Sequence, residues 1–462
     1  MKTIKIPEIL KEFNSCFEKN GFKAYLVGGA VRDMIMGKEV HDWDVTTDAR
    51  PEDVQRIFKK VIPTGIQHGT VTVHFMKKEI EVTTFRTEGT YTDGRHPDSV
   101  SFTSDLTEDL SRRDFTMNAI AASLKDGKIE DPFEGQKDIR DKIIMTVGNP
   151  RERFMEDGLR PVRAIRFSAK LGFSIEKDTY SAIFEEDILK KISSVSLERF
   201  RDELEKILAS REPSGAFKKM EETGILNIFM PELIPGRNCI QGDERGFHEF
   251  DVLDHLFYSC DGAPSTKENV RLAALLHDIG KPSVKKIKDG NITFYNHEKV
   301  SSEIAKKMLF RLKFPNVVIN NVCHLIENHM FYYQSEWTDA AVRRFLVRVG
   351  YENLEDLFDL RLADVYGMHR IKVRLTDSAL VNNLIELRER IEILHNKNDA
   401  LSMKDLKLNG EKLKALGIPA GRDMGFILKN LMECVLDDPE QNTEEKLSEI
   451  ALNLYREMHK LQ

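Results

Sequence analysis

Two sets of residues in this chain have the types and spacing of metal-dependent phosphate chemistry. The first centres on Asp42-Trp43-Asp44. The segment HDWDVTT (41–47) reads as a β-strand, and alternate residues of a strand share a face, so the two carboxylates would stand side by side. Charged carboxylates at close range are poor neighbours unless a cation lies between them, and Mg²⁺ is the cation suited to carboxylate oxygens plus substrate phosphates. Fourteen positions before Asp42, Gly28-Gly29 ends the apolar run FKAYLV (22–27) and opens the helical pattern AVRDMIMG. Glycines at such a turn let backbone N–H groups approach a triphosphate, whose charge a helix N-terminus favours. A further acid is available in EIEVTTF (79–85), where Glu79 and Glu81 share one strand face and either would complete the set. Each piece alone has a bland explanation, a solvated strand pair or a tight turn, but their order is far more specific than any one of them.

The second set lies within residues 255–364: His255, the adjacent His277-Asp278 of LLHDIGKP, His297, His329 and Asp364. Imidazole and carboxylate ligands together suit Mn, Fe, Ni or Zn better than Mg²⁺. A lone helical histidine is usually structural, and His324 is read that way.

These residues need a scaffold. The chain has 462 residues, which at roughly 100–200 residues per domain implies two to four domains. Its 41% hydrophobic and 31% charged content is that of a folded globular protein. With 69 basic against 76 acidic residues the net charge is −7, which argues against a basic nucleic-acid coat and requires any RNA surface to be local. The five cysteines form no C-x-x-C pair, so free thiols in a reducing cytoplasm are expected. No membrane span or signal-like N-terminus is read. An amphipathic helix carrying Ile9, Leu10, Phe13 and Phe17 opens the chain, Pro51 starts another helix, and TVTVHF (70–75) with EIEVTTF predicts a hairpin. The turn-rich segment TYTDGRHPD (90–98) predicts a loop. From about residue 150 helical periodicity dominates, broken by MPELIPGRNCIQGDERG (230–246) and changing character near 398–425.

LVGGAVRD (26–33), HDWD (41–44), TGIQHGTV (64–71), EVTTFR (81–86), RRDFTMNAIA (112–121) and EDGLRPVRAIRF (156–167) resemble the class II tRNA nucleotidyltransferases, the CCA-adding enzymes, whose framework bacterial poly(A) polymerases share. The resemblance implies a polymerase-β-like α/β head with a small mixed sheet, followed by an all-α neck, HD domain and tail. The expected divisions are 1–145, 146–228, 229–375 and 376–462. It implies two-metal nucleotidyl transfer in which Asp42 and Asp44 hold the two catalytic Mg²⁺ ions, that Glu81 is the third carboxylate, that Gly28, Gly29 and Arg32 contact the triphosphate, and that Arg113, Asp114 and Asn118 position the nucleotide. Asp157 and Arg160 would read the incoming base as a protein template, with Glu156 and Arg163 orienting them. One helix is expected over this motif, putting Asp157 and Arg160 at i and i+3 on one face, with Pro161 inside the helix costing it a backbone bond and bending it. Residues 90–98, with Asp93, Arg95 and His96, lie where A-adding members keep a flexible loop.

The middle segment resembles the HD-domain phosphohydrolases. That resemblance implies a transition metal (Mn, Fe or Ni) on His255, His277, Asp278 and Asp364, with His297 and His329 available to a second ion. The activity expected is CCA addition to tRNA from CTP and ATP, with phosphohydrolase activity in the middle domain. The alternatives are a poly(A) polymerase, an enzyme adding only A or only CC, a phosphohydrolase with an inactive RNA-binding head, or a non-catalytic RNA-binding protein. A basic stripe is expected at Arg112, Arg113, Arg160, Arg163 and Arg166, continuing at Lys407, Lys412 and Lys414 of the tail. Oligomeric state is not legible.

Overall fold

In the computed structural model, residues 2–40, 42–88, 100–241, 249–288, 291–370, 379–396 and 403–460 are described. His41 and the segment carrying Asp93, Arg95 and His96 lie outside them. The chain forms two compact units, one of residues 1–234 with 308–314 and one of 235–307 with 315–462.

The first unit begins with helix Glu8–Glu18, which buries Leu10, Phe13 and Phe17. Phe13 stacks on Phe58 at 4.6 Å and meets Phe75 edge-on, fastening this helix to the sheet. The unit's first nine strands are β1 (Ala24–Val27), β2 (Trp43–Thr47), β3 (Val61–Gly65), β4 (Thr70–Phe75), β5 (Lys78–Thr84), β6 (Arg86–Glu88), β7 (Val100–Phe102), β8 (Ala121–Ser123) and β9 (Ile129–Glu130), and a short parallel pair, Ile143–Ile144 with Ser174–Ile175, follows. Seven of them make one mixed sheet in the order β3-β4-β5-β2-β1-β8-β9. The expected hairpin is β4–β5, closed by Met76 and Lys77 at positive φ. β2 and β5 run parallel and all other neighbours in this sheet run antiparallel. Under β1, Val27 packs with Leu110, Ala119, Ala121 and Val147.

Two helices, Pro150–Glu156 and Arg160–Leu171, cover the motif expected to form one. Asp157 is extended (φ −139°, ψ 111°), so it shares no helical face with Arg160. Pro161 is the second residue of the later helix, where an N–H has no intrahelical partner to lose, so it costs the helix no backbone bond. At the break Gly158 lies against the backbone of helix Glu186–Ser193: a Cβ there would come within 2.4 Å of the Lys191 carbonyl oxygen.

Among its described residues the second unit is helical apart from the short pair Lys286–Lys288 and Asn291–Thr293. Helices Val252–Gly262 and Leu354–His369 approach closely because both carry glycine at the contact. A Cβ on Gly367 would sit 2.1 Å from Ser259 Oγ, and one on Gly262 would sit 2.8 Å from the Tyr366 side chain. The tail has its own core, in which Leu408, Leu413, Ile418, Ile427, Leu431 and Leu447 are buried. No helix among the described residues is long and apolar enough to cross a membrane.

Candidate functional site

Asp44 leaves β2 directly opposite Glu81 on β5, in the one parallel pairing of the main sheet. That register separates Glu81 from Glu79, whose carboxylate instead faces His74 at 3.5 Å. Asp42 immediately precedes β2 and is exposed, as are Asp44 and Glu81. Although open to water, Asp44 is ringed by protein. Partial desolvation raises its carboxyl pKa, which Arg113 opposes and Asp42 reinforces. Glu81 is also raised by desolvation and then by Asp44, with Arg86 opposing. Neighbouring oxygen donors that resist joint ionisation are the donor set a hard divalent cation fits.

Gly28 closes this corner. At φ 69° and ψ −136° it holds a backbone conformation nearly restricted to glycine, and a Cβ would lie 3.0 Å from Arg113 Nη1 and 3.7 Å from Asp44 Oδ2. Gly28→Ala therefore adds about 1–3 kcal/mol of backbone strain and crowds two site side chains. On the activity that the sequence resemblance implies, the expected result is a tenfold or greater drop in nucleotide incorporation, read by CTP titration at fixed tRNA.

The wall opposite the carboxylates is a continuous polar relay. Arg32, only 3% exposed, donates from Nε to Asp33 and from Nη1 to Asn118 Oδ1, both at 2.8 Å. Asn118 Nδ2 donates to Asp114 Oδ1 at 3.0 Å, and Arg163 donates two bonds to Asp114 Oδ2 at 2.8 and 2.6 Å. Burial works to raise the Asp114 carboxyl, but Arg163 and Asn118 outweigh it and hold the pKa at about 2. Asp114 thus stabilises the fold above the ordinary carboxyl range, and that contribution is lost as pH falls towards 2. It is not the helix cap that its position before a 3₁₀ turn suggests, since its oxygens go to Arg163, Asn118 and the N–H of Phe115. Buried Glu203 continues the relay to Arg166, and the Arg166 guanidinium lies over Phe167 at 3.8 Å. Beneath the strand, Asp109 accepts from Thr46 Oγ1 at 3.1 Å and pairs with Arg112, fixing the segment that carries Arg113.

Gly28, Gly29, Arg32, Asp44, Arg113, Asp114, Asn118, Arg163, Arg166, Phe167 and Lys170 line one cleft of about 280 Å³. Phe167 and Lys170 were not anticipated, although their spacing from Arg163 in RPVRAIRFSAK places them on the same helical side. Asp157 and Arg160 do not line this cleft. Asp157 is gripped by Arg199, at 3.1 and 2.7 Å. Arg160 is 7% exposed and donates to Glu156 and to the carbonyls of Arg153 and Arg112. Much of the expected basic stripe is therefore paired with acids, and in the tail Lys412 is paired with Glu444 at 2.6 Å.

In the second unit all six expected metal-binding side chains converge. His255 Nε2 lies 3.1 Å from His277 Nε2 and 3.3 Å from both Asp278 Oδ2 and Asp364 Oδ1. On the other side of Asp278, its Oδ1 is 3.1 Å from His297 Nε2 and 3.7 Å from His329 Nε2. All six side chains are buried. His277, His297 and His329 each direct Nδ1 to the carbonyl three residues earlier, at 2.9, 2.7 and 2.7 Å, which turns Nε2 inward. Asp278 Oδ1 is buried with no hydrogen bond, a vacancy in polar satisfaction that a cation would fill. Burial alone would lower the His277 pKa, but Asp278 and Asp364 raise it to about 10, while His329 is pushed down to about 3 by burial and by His277. Lys281 Nζ, 2.5 Å from Asp278 and 2.6 Å from Gln241 Oε1, and Arg361, 2.5 Å from Asp364, supply the compensating charge. These three residues were missed, although Lys281 and Arg361 stand one helical turn from a ligand in sequence. His324 bonds the Val349 carbonyl at 2.6 Å, a structural role.

Three family models match in order: the Poly A polymerase head domain over residues 24–145, the probable RNA and SrmB-binding site of polymerase A over 172–236, and the HD domain over 247–368. The CCA-adding enzyme of Lactobacillus johnsonii is 34% identical across 98% of this chain and 100% of its own length. That of Geobacillus stearothermophilus is 48% identical over 47% of this chain and 52% of its own. Among solved structures, the Bacillus stearothermophilus CCA-adding enzyme in complex with CTP superposes with a TM-score of 0.73 at 30% identity, covering 98% of this chain and 99% of that one.

Proposed function

The chain belongs to the CCA-adding enzymes, the template-independent tRNA nucleotidyltransferases, and on that premise we propose how its residues divide the work. Its reaction adds C, C and A to tRNA 3′ ends from CTP and ATP. Asp42, Asp44 and Glu81 form the catalytic set. Membership implies a divalent metal, Mg²⁺ in our reading, held by Asp42 and Asp44; when bound it supplies charge neutralisation for the triphosphate and acidifies the attacking 3′-hydroxyl. Gly28, Gly29 and Arg32 receive the triphosphate, and Arg113, Asp114 and Asn118 hold the ribose end. Asp157 and Arg160 read the base: an acceptor beside a fork of donors matches the amino group and adjacent ring nitrogen of cytosine or adenine. Glu156, bonded to Arg160, orients that side chain, and Arg163 holds Asp114. The observation that carries the reading is Asp44 facing Glu81 across a parallel strand pair, at a cleft that also gathers Arg32, Arg113, Arg163, Arg166 and Lys170.

We assign 1–145 to the head, 146–228 to the neck, 229–375 to the HD domain and 376–462 to the tRNA-binding tail. The HD centre, on His255, His277, Asp278 and Asp364 with His297 and His329 beside them, is a phosphohydrolase site for RNA-end or nucleotide phosphates. Its mixed N/O donors support Mn, Fe or Ni. Five free thiols support a cytoplasmic protein.

The expected product on tRNA ending before CCA is complete CCA with both nucleotides, and CC with CTP alone. Sequencing the products tests this. Repeated A addition would identify a poly(A) polymerase instead, and addition of A alone or of CC alone would identify a partial enzyme.

A further inference from the structure

Asp157 is held in place by a residue outside its own motif. Arg199, in the first turn of helix Leu197–Leu208, donates from Nη1 to Asp157 Oδ1 at 3.1 Å and from Nη2 to Oδ2 at 2.7 Å. The N–H of Leu159 donates to Oδ1 at 3.0 Å. The pair is largely shielded, with side-chain exposures of 20% for Arg199 and 16% for Asp157. The peptide that carries Asp157 is itself pinned by the approach of Gly158 to the Lys191 carbonyl. A carboxylate offers about four acceptor directions, two on each oxygen. Among the described residues, Oδ1 has both filled, by Arg199 and Leu159, whereas Oδ2 has one filled, by Arg199.

We propose that Arg199 is a positioning residue for base selection, which clamps the plane of the Asp157 carboxylate so that one acceptor, on Oδ2, is left for the exocyclic amino group of the incoming base. This rests on the reading of Asp157 as a base reader and adds who aims it. The chemistry follows from the bases. Cytosine and adenine present an amino donor at this edge, whereas uracil and guanine present a carbonyl acceptor. A carboxylate fixed with a single outward acceptor pairs with the first two and repels the others. A carboxylate free to rotate can turn away from a carbonyl, and the penalty against UTP and GTP shrinks. A bidentate guanidinium fixes a plane; an ammonium group does not.

The test is discrimination between CTP and UTP in single-turnover addition to tRNA lacking CCA, as the ratio of their efficiencies. It is measured for the wild type, Arg199→Gln, Arg199→Lys and Asp157→Ala, with thermal midpoints alongside. Loss of one well-aimed base contact predicts a fall in the ratio of about tenfold or more for Arg199→Gln. Arg199→Lys, which keeps the charge without the fork, should fall between that variant and the wild type. A merely structural Arg199 would slow both nucleotides alike and leave the ratio unchanged, which overturns the proposal. If Arg199→Gln fails to fold, the ratio of Arg199→Lys decides in the same way. An unchanged ratio in the Arg199 variants with a lowered one in Asp157→Ala refutes the clamp alone, whereas an unchanged ratio in Asp157→Ala refutes the base-reading role beneath it.

Discussion

Asp44→Ala is expected to reduce nucleotide incorporation by about 10³-fold or more while leaving tRNA affinity within a few-fold of the wild type. The size follows from the geometry. Asp44 is the carboxylate that faces Glu81 in register and lies nearest the glycine turn, where a Cβ on Gly28 would be 3.7 Å from its Oδ2. No other described acid occupies that cleft wall except Asp114, and its oxygens are committed to Arg163, Asn118 and a backbone N–H. The same variant should be no less stable than the wild type without added metal. The Asp44 carboxyl is raised by desolvation and by Asp42, so removing it removes an unfavourable charge from the folded state. Single-turnover CTP incorporation, filter binding of tRNA and a thermal midpoint in chelator distinguish a catalytic role from a folding role. Incorporation within tenfold of the wild type would remove Asp44 from the catalytic set.

Strand alternation is a local rule, and it places Asp44 on β2, although that strand begins at Trp43 and leaves Asp42 just before it rather than on its face. The choice between Glu79 and Glu81 was not legible, since both obey that rule. The parallel pairing of β2 with β5, a contact between segments more than thirty residues apart, puts Glu81 beside Asp44. The motif proposed to read the base differs in form from the single expected helix for a related reason. Its periodicity runs through EDGLRPVR without interruption, and the break falls where Gly158 meets the distant Lys191 carbonyl. The same long-range packing supplies Arg199 and Glu203, which no spacing rule connects to residues 114–163. In the HD segment the adjacent His277-Asp278 is recognisable locally. The convergence of His297 and His329 depends on how their helices pack, and the sequence records it only as two further histidines.

Asp278→Ala should have the second large effect, and a selective one. Asp278 is the one carboxylate of the centre with an oxygen towards each half of it, Oδ2 towards His255 and His277 and Oδ1 towards His297 and His329. On the proposed reading of the HD centre, removing it takes a ligand from both halves, and metal-dependent phosphate release is expected to fall by about 10²-fold or more, together with any bound transition metal, measured by elemental analysis of the purified chain. CCA addition should persist, because none of the head carboxylates lies in that unit. The variant also leaves Lys281 without its 2.5 Å partner among buried histidines, so some loss of stability is expected. Asp278→Asn, which keeps the shape and one acceptor oxygen while removing the charge, separates the two effects. A folded Asp278→Asn chain that has lost its metal and its phosphate release, but still completes CCA ends, is the expected result. Full phosphate release from that metal-free chain would mean that the hydrolysis belongs elsewhere in the protein.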